Sequence, residues 1–250
     1  MFSQSEQVTE VTKAFVPTIS APPGLESLFN RQPVEKFDAG AGILWEGDAA
    51  THIFEVVEGV LRVFRILSDG RRVITGFLYP GDILGVSLKD RYLYSAEAVV
   101  RTKVRRIARN RFQEEMARSP ELRPQLFARL CDEMAAAQDQ MVLLARKNAE
   151  ERVCSLLLRI ARRAQNGRQI APVIEIPMSR LDMADYLGLT IETVSRTMSK
   201  LANRGMIAPV GRHGLTIRKF EKLALLAGDG DEDDNHATGF DSRQQAVWPN

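Results

Sequence analysis

Apolar positions along the chain change rhythm twice. Between about residues 31 and 110 they fall in short runs rich in β-branched and aromatic side chains: Ile53-Phe54-Glu55-Val56-Val57, Val60-Leu61-Arg62-Val63-Phe64 and Val73-Ile74-Thr75-Gly76-Phe77-Leu78. Turn signals separate them at Ala39-Gly40, Glu46-Gly47-Asp48, Glu58-Gly59, Ser68-Asp69-Gly70 and Pro80-Gly81-Asp82. Turns recurring about every ten residues predict an antiparallel sandwich or barrel, and Asp69-Gly70 predicts a hairpin within it. From residue 111 to 146 the pattern becomes helical, broken only by Ser119-Pro120 and Pro124. Past Pro124 runs a narrow apolar stripe: Leu126, Leu130, Met134, Ala137, Met141, Leu144. Its spacing of four and three is heptad-like, and charged flanks (Arg129, Asp132, Glu133, Asp139) suit pairing with a second helix better than docking on the chain's own core. A further helix is predicted over Glu150–Ala164, with Val153, Leu156, Leu157 and Ile160 on one face, ending at Gln165-Asn166-Gly167. Val173-Ile174-Glu175-Ile176 then reads as a short strand stopped by Pro177.

Charge divides the chain further. The net charge of the 250 residues is only +2. Residues 1–146 carry 19 basic and 19 acidic side chains, residues 147–222 carry 14 and 7, and residues 223–250 carry 1 and 6. A compact unit with a net charge of +7 is a candidate for nucleic acid, although an arginine-rich solvated surface would look the same by charge alone. The acidic end, with Gly228-Asp229-Gly230-Asp231-Glu232-Asp233-Asp234, cannot bury apolar area and is expected to be disordered. Residues 1–30, with Pro17, Pro22, Pro23 and Gly24, read as a loose arm, with a short helix near Leu25–Phe29. The expected division is therefore an arm (1–30), a β domain (31–118), a dimerisation helix (119–147), a basic domain (148–222) and an acidic tail (223–250).

The stretch from Ser179 to Leu201 carries the function. Ala184, Gly188 and Val194 stand at the offsets of a helix-turn-helix. The small Ala184 lets two helices approach, and Gly188 permits a left-handed turn residue. Leu187, Ile191, Val194 and Met198 are expected to close the core, with Thr190 capping the second helix. One face of that helix is left outward, with Glu192, Ser195 and Arg196 at i, i+3 and i+4 near the end that enters a major groove. Arg196 can donate twice to guanine, Glu192 can accept from a cytosine or adenine amino group or hold the Arg196 guanidinium, and Ser195 can meet a base edge or a thymine methyl. Residues 209–217 read as a β-hairpin, making the unit a winged helix-turn-helix with Arg212 and His213 at its tip, facing either phosphate or plain solvent.

The chain resembles the CRP/FNR superfamily of transcription regulators, and most of all its FixK-like branch. The resemblance covers about residues 31–222. It is carried by Ala39-Gly40 with Glu46-Gly47-Asp48, by Pro80-Gly81-Asp82-Ile83-Leu84-Gly85, and above all by Leu187-Gly188-Leu189-Thr190-Ile191-Glu192-Thr193-Val194-Ser195-Arg196. It implies an α+β chain: an N-terminal jelly-roll of the cyclic-nucleotide-binding type, a long dimerisation helix and a C-terminal winged helix-turn-helix. It also implies a dimer on double-stranded DNA that reads a TTGA-type palindrome through helix 191–201. Glu192, Ser195 and Arg196 would contact bases, and Arg180, Thr190 and Thr193 phosphates. RNA polymerase is the further partner the family implies.

The same resemblance frames what the β domain lacks. Cyclic-nucleotide binders of the family carry a glutamate after the glycine of Gly-Asp-x-x-Gly and a later Arg-Ser or Arg-Thr pair. Here Val86 follows Gly85, and the later segment reads Tyr94-Ser95-Ala96, with Arg91 three residues early. An iron–sulfur cluster needs several thiolates; the two cysteines are Cys131 and Cys154, and residues 1–110 have none. For haem, His52 is the lone histidine of the β domain, beside a turn. No cofactor is therefore expected, and effector-independent binding is the favoured reading. A regulator gated by a cyclic nucleotide or other small molecule is the alternative, and an interaction module with an idle helix-turn-helix a more distant one. Cys131 and Cys154 are expected to serve as small apolar residues, or as redox switches only if exposed and acidified. No phosphate-binding loop, serine elbow or zinc-protease motif is present, so no enzyme is expected. With no basic leader and no apolar run of about 20 residues, a cytoplasmic protein without a membrane contact is expected.

Overall fold

A computed structural model describes residues 24–87, 89–165 and 173–228. The expectations for the N-terminal arm before residue 24 and for the tail beyond residue 228 lie outside these. A short helix α1 (Ser27–Asn30) leads into eight strands: β1 (Val34–Phe37), β2 (Gly42–Leu44), β3 (His52–Glu58), β4 (Leu61–Ile66), β5 (Arg72–Leu78), β6 (Ile83–Leu84), β7 (Ser95–Ala98) and β8 (Thr102–Ala108). They form two antiparallel four-stranded sheets, in the orders β1-β8-β3-β6 and β2-β7-β4-β5, the jelly-roll layout. Between the sheets Leu44, Phe54, Val56, Leu61, Leu84, Ala96, Ala98 and Val104 pack a common core. β4 and β5 make the hairpin expected at Asp69-Gly70. At Gly59 (φ +90°) a side chain is impossible, because a Cβ would lie 2.6 Å from the Arg101 carbonyl oxygen.

Two helices lead out of the jelly-roll: α2 (Arg109–Arg118) and α3 (Leu122–Arg146). Pro124 sits in the first turn of α3, where its missing N–H costs nothing. Its 25 residues bury only Leu122 and Leu143. The apolar stripe is left open to solvent, with Met134 60% and Met141 62% exposed, while Leu126 at the start leans on a smaller cluster in which Phe29, Phe112 and Leu122 meet Ile53 and Ile107.

The next helix, α4 (Ala149–Gln165), starts one residue earlier than its apolar pattern suggests. Asn148 Oδ1 accepts from the N–H groups of Glu150 (3.0 Å) and Glu151 (3.1 Å), and the Glu151 carboxylate accepts from Asn148 N–H at 2.8 Å. This reciprocal cap satisfies donors that the first turn leaves orphaned. β9 (Ile174–Glu175), α5 (Arg180–Leu187), α6 (Ile191–Asn203), β10 (Ile207–Val210), β11 (Gly214–Ile217) and α7 (Phe220–Ala227) complete the C-terminal unit. Its three strands pair in the order β10-β11-β9. α7 corrects the expected tail boundary at residue 223. Leu223 and Ala227 are fully buried against the core that α4 centres, so the segment Leu223–Ala227 has apolar area to bury and the acidic run begins only after it.

The two units meet across β4, β5 and α5. Arg62 reaches Glu97 at 2.7 Å and Asp182 at 3.0 Å, and Arg72 reaches Asp182 at 3.1 Å and Asp185 at 2.9 Å. Phe77 packs on Tyr186 with ring centroids 5.3 Å apart. On the far side of the junction Arg163 holds Asp82 at 2.7 Å. Buried ion pairs add little over an apolar contact of the same shape, but removing one partner strands the other. Asp182 keeps Arg72 when Arg62 is removed while Glu97 loses its cation, so Arg62→Ala is expected to destabilise the protein by about 1–3 kcal/mol, read from the urea unfolding midpoint.

Candidate nucleic-acid interface

α5 and α6 form the helix-turn-helix. Ser179 caps α5, its Oγ accepting from Asp182 N–H at 3.1 Å while the Asp182 carboxylate accepts from Ser179 N–H at 3.0 Å. α5 stops at Gly188, which is left-handed (φ +61°). Ala184 is buried at the approach of the helices, and Thr190 caps α6 by accepting from Thr193 N–H at 3.2 Å. Leu187, Val194 and Met198 are buried as expected, joined by Thr197 and Leu201. Ile191 is not: it is 41% exposed. As the first residue of α6 it precedes the buried stripe that begins at Val194, so it cannot reach the core.

Glu192, Ser195 and Arg196 all lie on the solvent side of α6. The stripe continues through Ser199, Lys200 and Asn203, and a shallow groove of about 530 Å³ runs along it from Ser195 to Arg204. The i+7 and i+11 positions from Glu192 would have flagged Ser199 and Asn203 in the sequence. Lys200 is ion-paired to Glu150 of α4, which also holds Arg204 at 2.8 Å. Among the described residues neither Glu192 nor Arg196 has a hydrogen-bonded partner, so the suggested Glu192–Arg196 pair does not form and both side chains stay available.

The other sequence-predicted positions are less uniform. Thr190 and Thr193 stand at the N-terminus of α6 with their hydroxyl oxygens 3.0 Å apart. Arg212 and His213 are exposed in the turn joining β10 to β11. Arg180, the first residue of α5, is half-buried, with Nη1 3.2 Å from Met183 Sδ, and burial lowers its pKa from the usual guanidinium value.

The unit is fastened to α3 by polar contacts that the sequence pattern does not show. Arg152 donates from Nε to the Lys147 carbonyl (2.8 Å), from Nη2 to that of Leu144 (2.9 Å) and from Nη1 to that of Leu187 (2.8 Å). One guanidinium thus serves the C-terminal ends of both α3 and α5, where the helix dipoles favour a cation. Gln140 of α3 donates to the Tyr186 carbonyl at 2.9 Å and accepts from Arg159 at 3.0 Å.

In the jelly-roll, Tyr94, Ser95 and Arg91 make hydrogen bonds within the chain. The Tyr94 hydroxyl accepts from Gly85 N–H at 2.9 Å, and the Ser95 hydroxyl from Glu46 N–H at 3.0 Å. Arg91 donates to the Gly47 carbonyl at 2.5 Å. A cleft of about 780 Å³ lies between the jelly-roll, α3 and α4, lined by Phe77, Tyr79, Tyr94, Leu130, Glu133 and Arg163 among others. Burial pushes the Tyr79 phenol up to about 12 and raises the Glu133 carboxyl. His52 Nδ1 lies 2.9 Å from the neighbouring Thr51 hydroxyl. Among the described residues no cluster of three or more metal-ligating side chains occurs, and no helix is long and apolar enough to cross a membrane.

The profile of the Crp-like helix-turn-helix domain matches residues 151–226, and that of the cyclic nucleotide-binding domain matches residues 34–119. The nitrogen fixation regulation protein FixK of Bradyrhizobium diazoefficiens is 43% identical over 195 residues, covering 76% of this chain and 80% of that protein. The transcriptional activatory protein AadR of Rhodopseudomonas palustris is 40% identical, covering 72% and 76%. The solved structure of FixK2 from Bradyrhizobium japonicum superposes with a TM-score of 0.73 at 35% identity, over 78% of this chain and 96% of that one. The chain belongs to the CRP/FNR family. It is a DNA-binding transcription regulator, and the jelly-roll, long helix and helix-turn-helix described above are the architecture of that family.

Within this CRP/FNR regulator, two features of the head are open to direct test. Gly188→Ala forces an alanine into the left-handed region, with its Cβ 3.4 Å from Arg152 Nη1. It is expected to cost about 1–2 kcal/mol in thermal or urea unfolding. Cys154 is buried, and its thiol is pushed up to about 12 by burial and then by Glu150. The folded chain keeps that proton where an unfolded thiol, near 9, has lost it. Native stability should therefore be untouched by this group below pH 9 and should fall as the pH climbs from there towards 12. At pH 8 a thiol reagent is expected to label Cys131, which is partly exposed, well before Cys154.

Proposed function

We propose that the chain binds DNA as a homodimer paired along the apolar stripe of α3, and that each subunit reads one TTGA-type half of a palindrome through α6. The observation that carries this reading is the unpaired, outward trio Glu192, Ser195 and Arg196 on a helix whose other face sends Val194, Thr197, Met198 and Leu201 into the core. Arg196 would take guanine O6 and N7, Glu192 an exocyclic amino group, and Ser195 a base edge. Thr190, Thr193, Arg180 and the hairpin residues Arg212 and His213 would meet phosphate. Leu126, Leu130, Met134, Ala137, Met141 and Leu144 would form the dimer seam, supported by the exposure of that stripe in the single chain. The working units are a jelly-roll over 31–118, a dimerisation helix over 119–147 and a winged helix-turn-helix from residue 148 through α7.

The regulator needs no small-molecule effector. In support, Val86, Tyr94 and Ser95 stand where a cyclic-nucleotide binder would place its ribose and phosphate ligands, and Tyr94 and Ser95 are engaged by backbone N–H groups. It acts at promoters by touching RNA polymerase, as an activator, in keeping with what AadR is called, and works in the cytoplasm beside the chromosome rather than as an enzyme. The 780 Å³ cleft favours a second reading, a regulator gated by a small molecule seated beside α3.

A gel shift with a TTGA…TCAA palindrome separates them. Specific binding by the chain alone, unchanged by cyclic AMP, is expected. Binding only when a small molecule is added supports the gated reading, and no binding in any condition would leave an interaction module. Arg196→Ala is expected to lose about 1–3 kcal/mol of discrimination at the guanine. Equal losses on the palindrome and on scrambled DNA would make Arg196 a phosphate contact.

A further inference from the structure

The helix that does not read DNA is gripped at both ends. In the first turn of α5, Asp182 accepts from Arg62 Nη1 at 3.0 Å and Arg72 Nη2 at 3.1 Å, and one turn on Asp185 accepts from Arg72 Nε at 2.9 Å. Glu97 orients Arg62 from the other side at 2.7 Å. Towards the C-terminal end, Gln140 and Arg152 hold the Tyr186 and Leu187 carbonyls. None of Glu192, Ser195 and Arg196 is used in either grip.

The covalent link between α3 and the reading head is the short stretch at Lys147-Asn148. A single tether of that kind leaves a head free to swing, and the ionic contacts to β4 and β5 join those of Arg152 and Gln140 with α3 in removing that freedom. The docked arrangement leaves the reading face of α6 and the apolar stripe of α3 exposed at the same time. It is therefore compatible with a partner on one surface and a DNA groove on the other. Arg62 and Arg72 also offset the carboxylates of the helix whose first residue, Arg180, is assigned to phosphate.

We infer that Arg72 and Arg62, through Asp182 and Asp185, are positioning residues that fix the angle of α6 and so select the spacing between half-sites that the dimer accepts. This rests on the palindrome reading above and deepens it, by making the jelly-roll part of the ruler together with α3.

The test measures the affinity of the full chain for a series of palindromes whose two half-sites are separated by spacers stepped one base pair at a time. The wild type should prefer one spacer. Arg72→Gln is expected to weaken that complex by about 3- to 10-fold while changing the neighbouring spacers by less than about 2-fold, so that spacing selectivity collapses. Arg72→Lys, which keeps the charge, should restore part of it, and Arg72→Gln combined with Asp185→Asn should be no worse than Arg72→Gln alone. Arg72 and Asp185 side chains are 23% and 20% exposed, at the rim of the network. Should Arg72→Gln fail to fold by its melting curve, Asp185→Asn, which leaves both arginines on Asp182, carries the same comparison. An equal loss at every spacer, or selectivity unchanged from wild type, overturns the inference. A wild type that binds no palindrome, or binds every spacer alike, overturns the reading beneath it instead.

Discussion

One carboxylate ties the two halves of the chain together. Asp182 completes the cap that starts α5, and its other oxygen receives two guanidinium groups from the jelly-roll. The cap fixes where α5 begins, the arginines fix which way it faces, and the left-handed Gly188 then fixes where α6 departs. A residue only 3% exposed thus links the geometry of a β-sheet to that of a helix in another unit. A buried charge of this kind is costly unless fully paired, so intermediate placements of the head leave it stranded.

Much of this was legible from residue pattern, because periodicity reports burial and burial is what builds elements. The β runs, the Asp69-Gly70 hairpin, the long helix and the turn at Gly188 all follow from local rules. The outward trio on α6 was legible for the same reason: the residues between them are the ones a core needs. Ile191 was misjudged because apolar character does not say which turn of a helix a core reaches. The C-terminal helix was missed because the acidic run beyond it dominated the composition of a segment whose first residues, Leu223 to Ala227, are apolar. The contacts of Arg62, Arg72, Gln140 and Arg152 leave no periodic trace. Most of them join positions on different elements, from Gln140 to Arg159 up to Arg62 to Asp182, and long polar side chains look alike in sequence whether they are solvated or bound.

The long helix shows the opposite balance. In a single chain it is a 25-residue rod that buries two of its residues and leaves methionines and leucines in water. Propensity and end contacts hold its shape, and the exposed stripe is what remains for another surface to cover. The same chain therefore carries one helix, α6, whose apolar side is consumed except at Ile191, and one whose apolar side is almost entirely unspent.

Arg152 sets how the head can move. Its guanidinium spans three carbonyls contributed by the ends of two helices and the residue between α3 and α4. The bond to Leu187 lies within the head, while those to Leu144 and Lys147 cross to the end of α3, so a rotation of the head strains these two together because the planar fork holds them in fixed relation. The joint is therefore braced by more than the chain link at Lys147-Asn148. A reading head mounted in that way would deliver its contacts to the groove in register or not at all.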